Sequence, residues 1–361
     1  MLLPNLIKDH GLILPDVCDF PDAGGSLFPE QIDFEPFQEK FNQSVSTLNL
    51  ASFEKTYKQL YSSIFKQIKL DGKEKPIFNE MSKRIKLAAD SYFTSCREQV
   101  ERNDIPSNEV YEHLEEYGCY GYKVENNLIE QVNQLLRKDI EALQRIPDNR
   151  PGVHSYDRSK RYKKPEHPQL YKLVTAILKQ NGALAALRKY NRNKKNIEVT
   201  GIAVHVSRPS DTHHFTTLED MSTSSKLISC HMDPKYNLMK SIIYLDDVSL
   251  HNGPFTTIPG SNLWYQDRFE RIVANGNSTS NYLNSPSHRR VLRLFPKIMR
   301  KNVIFGRYIL DGTPMSDMLL SKLHPFTSDQ ADCIIFDPAH TIHRGGLCES
   351  GERINLQILM R

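Results

Sequence analysis

No run of about 18 apolar residues occurs anywhere in the 361 residues, so nothing in the sequence reads as a membrane-spanning helix. The opening MLLPNLIKDHGLILPD has no basic lead-in, and Pro4 and Pro15 bracket its short apolar stretch. It does not read as a secretory signal. Cysteine is sparse: Cys18, Cys96, Cys119, Cys230, Cys333 and Cys348 are scattered, with no C-x-x-C pair. That argues against a disulfide framework and for reduced thiols in a cytoplasmic protein. Charge of one sign is also in short supply. The net charge is +4, too mild to call for nucleic acid by itself. Internal repeats and low-complexity tracts are absent. What is present suffices for a folded core: 39% hydrophobic residues, sixteen Phe, and an ordinary 25% charged residues.

The texture changes along the chain. Residues 1–33 carry Pro4, Pro15, Pro21, Pro29 and the Gly24-Gly25 pair, and read as an irregular lead segment. From Phe34 to about Asp104 the pattern is helical. Phe53, Tyr57, Leu60, Tyr61, Ile64 and Ile68 recur at spacings of three and four, one apolar stripe. That stripe is core packing by default, and a dimer interface or an active-site lid are its alternatives. Residues 110–146 predict a helix, a stop at Gly118, a strand through Tyr122 and Val124, then a long helix.

Residues 137–196 hold sixteen Lys/Arg against five Asp/Glu. Three readings stand: solvated surface around two helices, a face for an anionic substrate group or carrier, and a nucleic-acid contact. No aromatic–glycine RNA-binding motif accompanies the stretch, which weighs against the last. From about Ile197 short β runs alternate with turns: IEVTGIAVHVS, KLISCHMD, KSIIYLDDV, GPFTTIPGS, DCIIFDPAHTIHRGG and RINLQILMR. A less regular, partly helical insertion spans about 262–330. The expected architecture is a helical N-terminal part followed by an antiparallel sandwich or jelly roll.

One triplet reads H-x-D: His231-Met232-Asp233. It lies at the end of the strand expected over KLISC, where residues two apart share a face. An imidazole and a carboxylate so placed can take two adjacent positions on one metal, and a further imidazole completes a set that favours non-haem Fe(II). The bland alternative is a hydrogen-bonded His–Asp pair with no metal. His113-Leu114-Glu115 lies on a helix, where i and i+2 do not share a face, and is rejected. His213-His214 reads as loop. The third ligand falls between His340 and His343, which strand parity places on opposite faces. Ten residues beyond His343, Arg353 opens the last strand, as in a hairpin turning at Gly345-Gly346. Its guanidinium suits a bidentate carboxylate anchor, and a structural salt bridge is the plainer reading. In GPFTTIPGS, a turn and strand needing close backbone approach at Gly253 and Gly260 is the plain reading.

HMD, then YLDDVSLHNGPFTTIPGS, then IHRGG with Arg353 together resemble the phytanoyl-CoA hydroxylase-like branch of the Fe(II)/2-oxoglutarate-dependent dioxygenases. LEEYGCYGYKVENNLIEQVNQLL is similar to that family's opening helix, turn and strand. The resemblance covers residues 109–361, with a β core over about 197–361, and leaves 1–108 as a helical extension. It implies an α+β fold built on a double-stranded β-helix. It also implies that His231, Asp233 and His343 hold Fe(II), and that Arg353 binds the distal carboxylate of 2-oxoglutarate. O2 is then divided between the co-substrate, giving succinate and CO2, and the substrate.

A carboxylate at Asp233 argues against the family's halogenating variants. Met232, Gly345 and Asn262 stand where the family often has Gln, Ser/Thr and His. Lys240, Tyr244 and Thr257, on neighbouring strands, are the next co-substrate candidates. The resulting expectation is an oxygenase acting on a small-molecule substrate, an anionic one on the second reading of the basic stretch. The alternatives are an oxygenase docking a protein or RNA through the basic region, and a non-catalytic binding module of the same fold. An intact set of His231, Asp233, His343 and Arg353 disfavours the module.

Overall fold

A computed structural model describes residues 34–67, 70–72, 74–147, 158–192, 197–209, 230–264, 268–278, 291, 321–346 and 348–361. The lead segment 1–33, the KLIS strand, His213-His214 and most of the 262–330 insertion lie outside the described residues.

Three helices open the described chain: α1 (Glu35–Ser46), α2 (Leu50–Gln67) and α3 (Glu74–Glu98). The apolar stripe of α2 buries Phe53, Tyr57, Leu60 and Ile64. These side chains meet Phe41, Phe78, Met81, Ile85 and Phe93 in one cluster. Helix α4 (Glu109–Tyr117) starts where the Asn108 side chain accepts from the Tyr111 N–H at 3.0 Å. It ends at Gly118, whose φ of 73° is the left-handed cap.

Strand β1 (Cys119–Tyr122) follows. The strand expected through Val124 stops earlier, because the Val124 N–H donates to the Asp332 carboxylate at 3.1 Å instead of to a neighbouring strand. Next come α5 (Asn126–Gln144), β2 (Ser159–Tyr162), α6 (Pro168–Lys179) and α7 (Ala183–Asn191). The Lys/Arg-rich surface of this stretch is partly paired: Lys160 with Asp139 at 2.7 Å and Lys164 with Glu198 at 3.6 Å. Such exposed pairs contribute little each.

The remaining strands among the described residues are β3 (Val199–Ser207), β4 (Met239–Tyr244), β5 (Thr256–Thr257), β6 (His324–Pro325), β7 (Cys333–Phe336), β8 (His343–Arg344) and β9 (Arg353–Met360), with α8 (Arg268–Ser278) between β5 and β6. A six-stranded antiparallel sheet has the order β1-β7-β4-β9-β3-β2. A three-stranded sheet has the order β6-β5-β8, and His231 adds an antiparallel bridge to His343 at its edge. The chain passes back and forth: β3 large, His231 small, β4 large, β5 and β6 small, β7 large, β8 small, β9 large. That winding is a double-stranded β-helix, a jelly roll with helices packed on it. The small strands are short because Gly and Pro flank them, at Gly253, Pro254, Pro259 and Gly260 around β5 and at Gly345 and Gly346 after β8.

Two corrections follow for the 332–361 region. His343 and Arg353 are not partners in a hairpin, since β8 pairs with β5 whereas β9 pairs with β4 and β3. The Gly-rich link is a crossover between sheets. A Cβ on Gly346 would stand 2.1 Å from the Pro254 carbonyl oxygen, so only glycine lets the two backbones pass.

Side-chain alternation then sorts the cores. The outer face of the large sheet packs on α4–α7 through Tyr122, Ile243, Ile335, Leu356 and Ile358. The outer face of the small sheet packs on α1–α3 and α8 through Met232, Ile258 and Ile342. Helices read from sequence as an N-terminal extension thus share one core with the strand residues that flank His231 and His343. A buried Phe, Ile or Met contributes roughly 1.5–3 kcal/mol there. Between the two sheets lies a smaller cluster of Ile242, Tyr244, Phe255, Phe326 and Phe336. Above it the interior turns polar.

Candidate metal centre

His231 and His343 exchange backbone hydrogen bonds, 2.9 Å from the His231 N–H and 3.0 Å from the His343 N–H. This bridge sets the two imidazoles on one wall, with ring centroids 4.4 Å apart. The Asp233 N–H donates to the Pro338 carbonyl at 2.7 Å, which turns its carboxylate to the same side. Met232, between them, points the other way and is fully buried in the helical core. The Asp233 Oδ1 lies 3.7 Å from His231 Nε2. One ligand atom from each of His231, Asp233 and His343 can be chosen so that all lie within 4.8 Å of one another.

Protonation favours ligation. His343 Nδ1 faces the Thr341 carbonyl at 2.9 Å, and a carbonyl only accepts, so the ring proton is on Nδ1 and the Nε2 lone pair is free to bind. Burial pushes His343 down to about 4, against the pull of Asp233, and keeps the imidazole neutral. Burial alone would raise Asp233. The Lys240 ammonium, 2.5 Å from its Oδ2, and the two imidazoles outweigh burial and hold it well below the usual carboxylate range. With Oδ2 on Lys240, Oδ1 is the oxygen turned to His231.

His340 takes no part in this cluster. Its Nδ1 lies 2.6 Å from Asp337 Oδ2, which also accepts from the Tyr190 hydroxyl at 2.9 Å. It lines a separate cavity with Tyr190, Tyr236 and Arg271. Three residues along, His343 faces the opposite way.

A cavity opens from the cluster across the inner face of the large sheet. Its walls include His231, His343, Lys240, Phe255, Phe336 and Arg353. Arg353 is 8% exposed, and its Nη2 donates to Ser207 Oγ at 3.1 Å. The structure therefore brings Lys240 and Arg353 into one cavity with His231 and His343, and Lys240 in turn contacts Asp233. It does not bring Tyr244 or Thr257 to that lining. The Tyr244 hydroxyl donates to the Phe326 carbonyl and accepts from the Phe255 N–H, both at 2.8 Å. Thr257 Oγ1 is 3.3 Å from Cys119 Sγ and fully buried.

Sequence reasoning overlooks His205, Asn355 and Gln357, which line the same cavity. The available signal was the i, i+2 alternation along β3 and β9 from Ser207 and Arg353. It also overlooks Asn275 on α8. The Asn275 amide donates to the Asp233 carbonyl at 2.6 Å and the Ala339 carbonyl at 2.7 Å, and accepts from the Tyr236 hydroxyl at 3.0 Å. One side chain thereby ties together the two segments that carry Asp233 and His343.

No protein-family profile and no curated protein matches this chain. Solved structures similar to it include SnoK, EctD and HygX. SnoK, the alpha-ketoglutarate-dependent carbocyclase from nogalamycin biosynthesis, is 14% identical over 71% of this chain and 84% of its own, with a TM-score of 0.40. EctD from S. alaskensis in its apo form is 10% identical over 73% and 80%, also at 0.40. HygX from Streptomyces hygroscopicus, with nickel and 2-oxoglutarate bound, is 14% identical over 71% and 87%, at 0.37. These are weak likenesses, and the chemistry of the site rests on its own residues.

Proposed function

We propose that this protein is a non-haem Fe(II)- and 2-oxoglutarate-dependent dioxygenase that hydroxylates a small metabolite or biosynthetic intermediate. One observation carries the reading: two imidazoles and a carboxylate converge at one end of a cavity that holds the buried guanidinium of Arg353. The donor set fits the metal. Donors about 2.1 Å from an ion on adjacent octahedral sites stand roughly 3 Å apart, and the His231–Asp233 separation of 3.7 Å is within a small side-chain adjustment of that. A neutral His343 and an ionised Asp233 need no proton removed before binding.

In this reading His231, Asp233 and His343 hold Fe(II), and Arg353 receives the distal carboxylate of 2-oxoglutarate in a charge-assisted pair. Lys240 keeps Asp233 ionised and occupies its second oxygen, which favours ligation through Oδ1 alone. Phe255, Phe336 and Ile242 give the cavity apolar walls that exclude water. Tyr244 and Thr257 support those walls. When bound, Fe(II) with 2-oxoglutarate supplies oxidative chemistry, converting O2 and the co-substrate to succinate and CO2 as a substrate C–H bond is hydroxylated. Residues 109–361 would form the dioxygenase unit, with the helices of 1–108 backing its metal-binding wall.

The test is anaerobic. Fe(II) and then 2-oxoglutarate are added to metal-free protein, and the visible metal-to-ligand charge-transfer band is sought. The band is expected in the wild type, absent in Asp233→Ala, and shifted to far higher 2-oxoglutarate concentration in Arg353→Leu. Folded protein that binds Fe(II) and gives no band with 2-oxoglutarate would overturn the assignment.

A further inference from the structure

Register places two residue pairs side by side on the inner face of the large sheet. Ser207 is opposite Arg353, and His205 is opposite Asn355. Since side chains alternate, Arg353, Asn355 and Gln357 follow one another along β9 on the cavity side. Lys240, on the neighbouring strand β4, marks the metal end through its contact with Asp233. The floor between Arg353 and Lys240 therefore carries the polar side chains of His205, Asn355 and Gln357 beside Ile242.

Two atoms in that floor stand out. His205 Nε2 and Asn355 Oδ1 are both shut off from solvent, and neither has a hydrogen-bond partner among the described residues. Asn355 is 7% exposed. Buried polar atoms are nearly always paired, and an orphan is costly. Two orphans in one register pair, on residues that line one cavity, point to a ligand that completes them. His205 is hydrogen-bonded to Gln357, and burial, with the Arg353 and Arg161 charges, keeps the ring neutral. A neutral imidazole carries one N–H, and its partner decides which nitrogen holds it. Gln357 can serve either nitrogen, through its oxygen or its NH2. Rotating the Asn355 amide by half a turn exchanges its oxygen for its NH2 at no steric cost.

We propose that His205 and Asn355 are co-substrate contacts: His205 donates from Nε2–H, with Gln357 orienting the ring, and Asn355 donates from its amide, both to the carboxylate that Arg353 anchors. This rests on the proposed reading of the cavity as the 2-oxoglutarate site. The carboxylate is then held by one cation and two neutral donors. The neutral donors add directionality without adding charge to a cavity that already holds Lys240 and Arg353. Gln357 is a positioning residue and touches the co-substrate only through His205.

The test titrates Fe(II)-loaded, anaerobic, full-length protein with two 2-oxo acids, following the charge-transfer band. One is 2-oxoglutarate. The other is 2-oxopentanoate, of the same length but with a methyl in place of the distal carboxylate. His205→Phe and Asn355→Leu are each expected to weaken 2-oxoglutarate binding on the order of tenfold or more. Binding of 2-oxopentanoate is expected to stay within about twofold, and Fe(II) affinity to stay unchanged. His205→Gln keeps a side-chain donor and is expected to retain most of the affinity.

Asn355→Asp, which sets a like charge against the carboxylate, is expected to lose it. If His205→Phe does not fold, these last two variants carry the same comparison. Equal weakening of both acids would mean a general distortion and overturn the proposal, as would unchanged 2-oxoglutarate affinity in a folded variant. A wild type that gives no band at all would instead overturn the parent reading.

Discussion

Asn275 offers the sharpest mechanical test of how the wall of the proposed metal centre is held. It is fully buried on α8 and makes three hydrogen bonds, to the Asp233 carbonyl, the Ala339 carbonyl and the Tyr236 hydroxyl. Asn275→Leu keeps the branching and heavy-atom count and removes all three. Two carbonyls lose a donor and one hydroxyl loses an acceptor, at about 1–3 kcal/mol for each group left unsatisfied. Allowing for partial relaxation, urea unfolding of the metal-free protein should show a loss of roughly 3–6 kcal/mol. That is a large share of the 5–15 kcal/mol typical of a folded domain.

Asn275→Asp separates geometry from packing. Its carboxylate still accepts from Tyr236, but it opposes two carbonyl oxygens with no proton to offer. Both variants should bind Fe(II) on the order of 10–100-fold more weakly, the range expected when a group orienting metal ligands is lost. A stability loss under about 1 kcal/mol, or unchanged Fe(II) affinity in both variants, would refute the reasoning.

Three further outcomes are expected. Met232→Ala, between His231 and Asp233 and fully buried in the helical core, should cost about 2–5 kcal/mol in chemical unfolding, because the cavity it leaves lies against the packed helices. Gly118→Ala should destabilise by more than the 1–2 kcal/mol of a left-handed cap alone, since its Cβ would stand 2.1 Å from Thr341 Oγ1; a melting temperature within a degree of wild type would count against the close approach. His205 is pushed down to about 4 by burial and the nearby arginines, from 6.5 when unfolded. The unfolded chain therefore takes up a proton first as pH falls, and the His205 contribution, complete above 6.5, is lost between about 6.5 and 4. The loss is at most roughly 3 kcal/mol, and His205→Gln should flatten that part of the pH–stability curve of the metal-free protein.

Much of this arrangement is legible in the sequence because it rests on short-range rules. The helical stripe at Phe53, Tyr57, Leu60 and Ile64 buries as its spacing requires. Gly118 caps a helix where a glycine is the cheapest residue to do so. In His231-Met232-Asp233 the parity of an extended chain sends the middle residue to the core and its neighbours to the opposite side. The same parity separates His340 from His343, but it does not say which of them faces His231. That is decided by the bridge between His231 and His343, a pairing between residues more than a hundred positions apart.

What sequence could not supply is which sheet each strand joins. A separation of ten residues from His343 to Arg353 fits a hairpin equally well, and only the pairing partners β5 and β4/β3 make the link a crossover. Tyr244 is on the inner face of β4, yet its hydroxyl is taken by the Phe255 and Phe326 backbones, and no local pattern announces that competition. Asn275 lies on a helix packed beneath the site, and its role depends on two carbonyls brought to it from elsewhere. His205 and Asn355 become visible together only once β3 and β9 are set in register.

The most direct measurement is Fe(II) stoichiometry by anaerobic equilibrium dialysis, on wild type and on four single variants. One Fe(II) per chain is expected for the wild type and for His340→Ala. Binding should be lost or greatly weakened in His231→Ala, Asp233→Ala and His343→Ala. Retention of tight 1:1 binding in those three variants, or its loss in His340→Ala, would contradict the assignment of the metal centre.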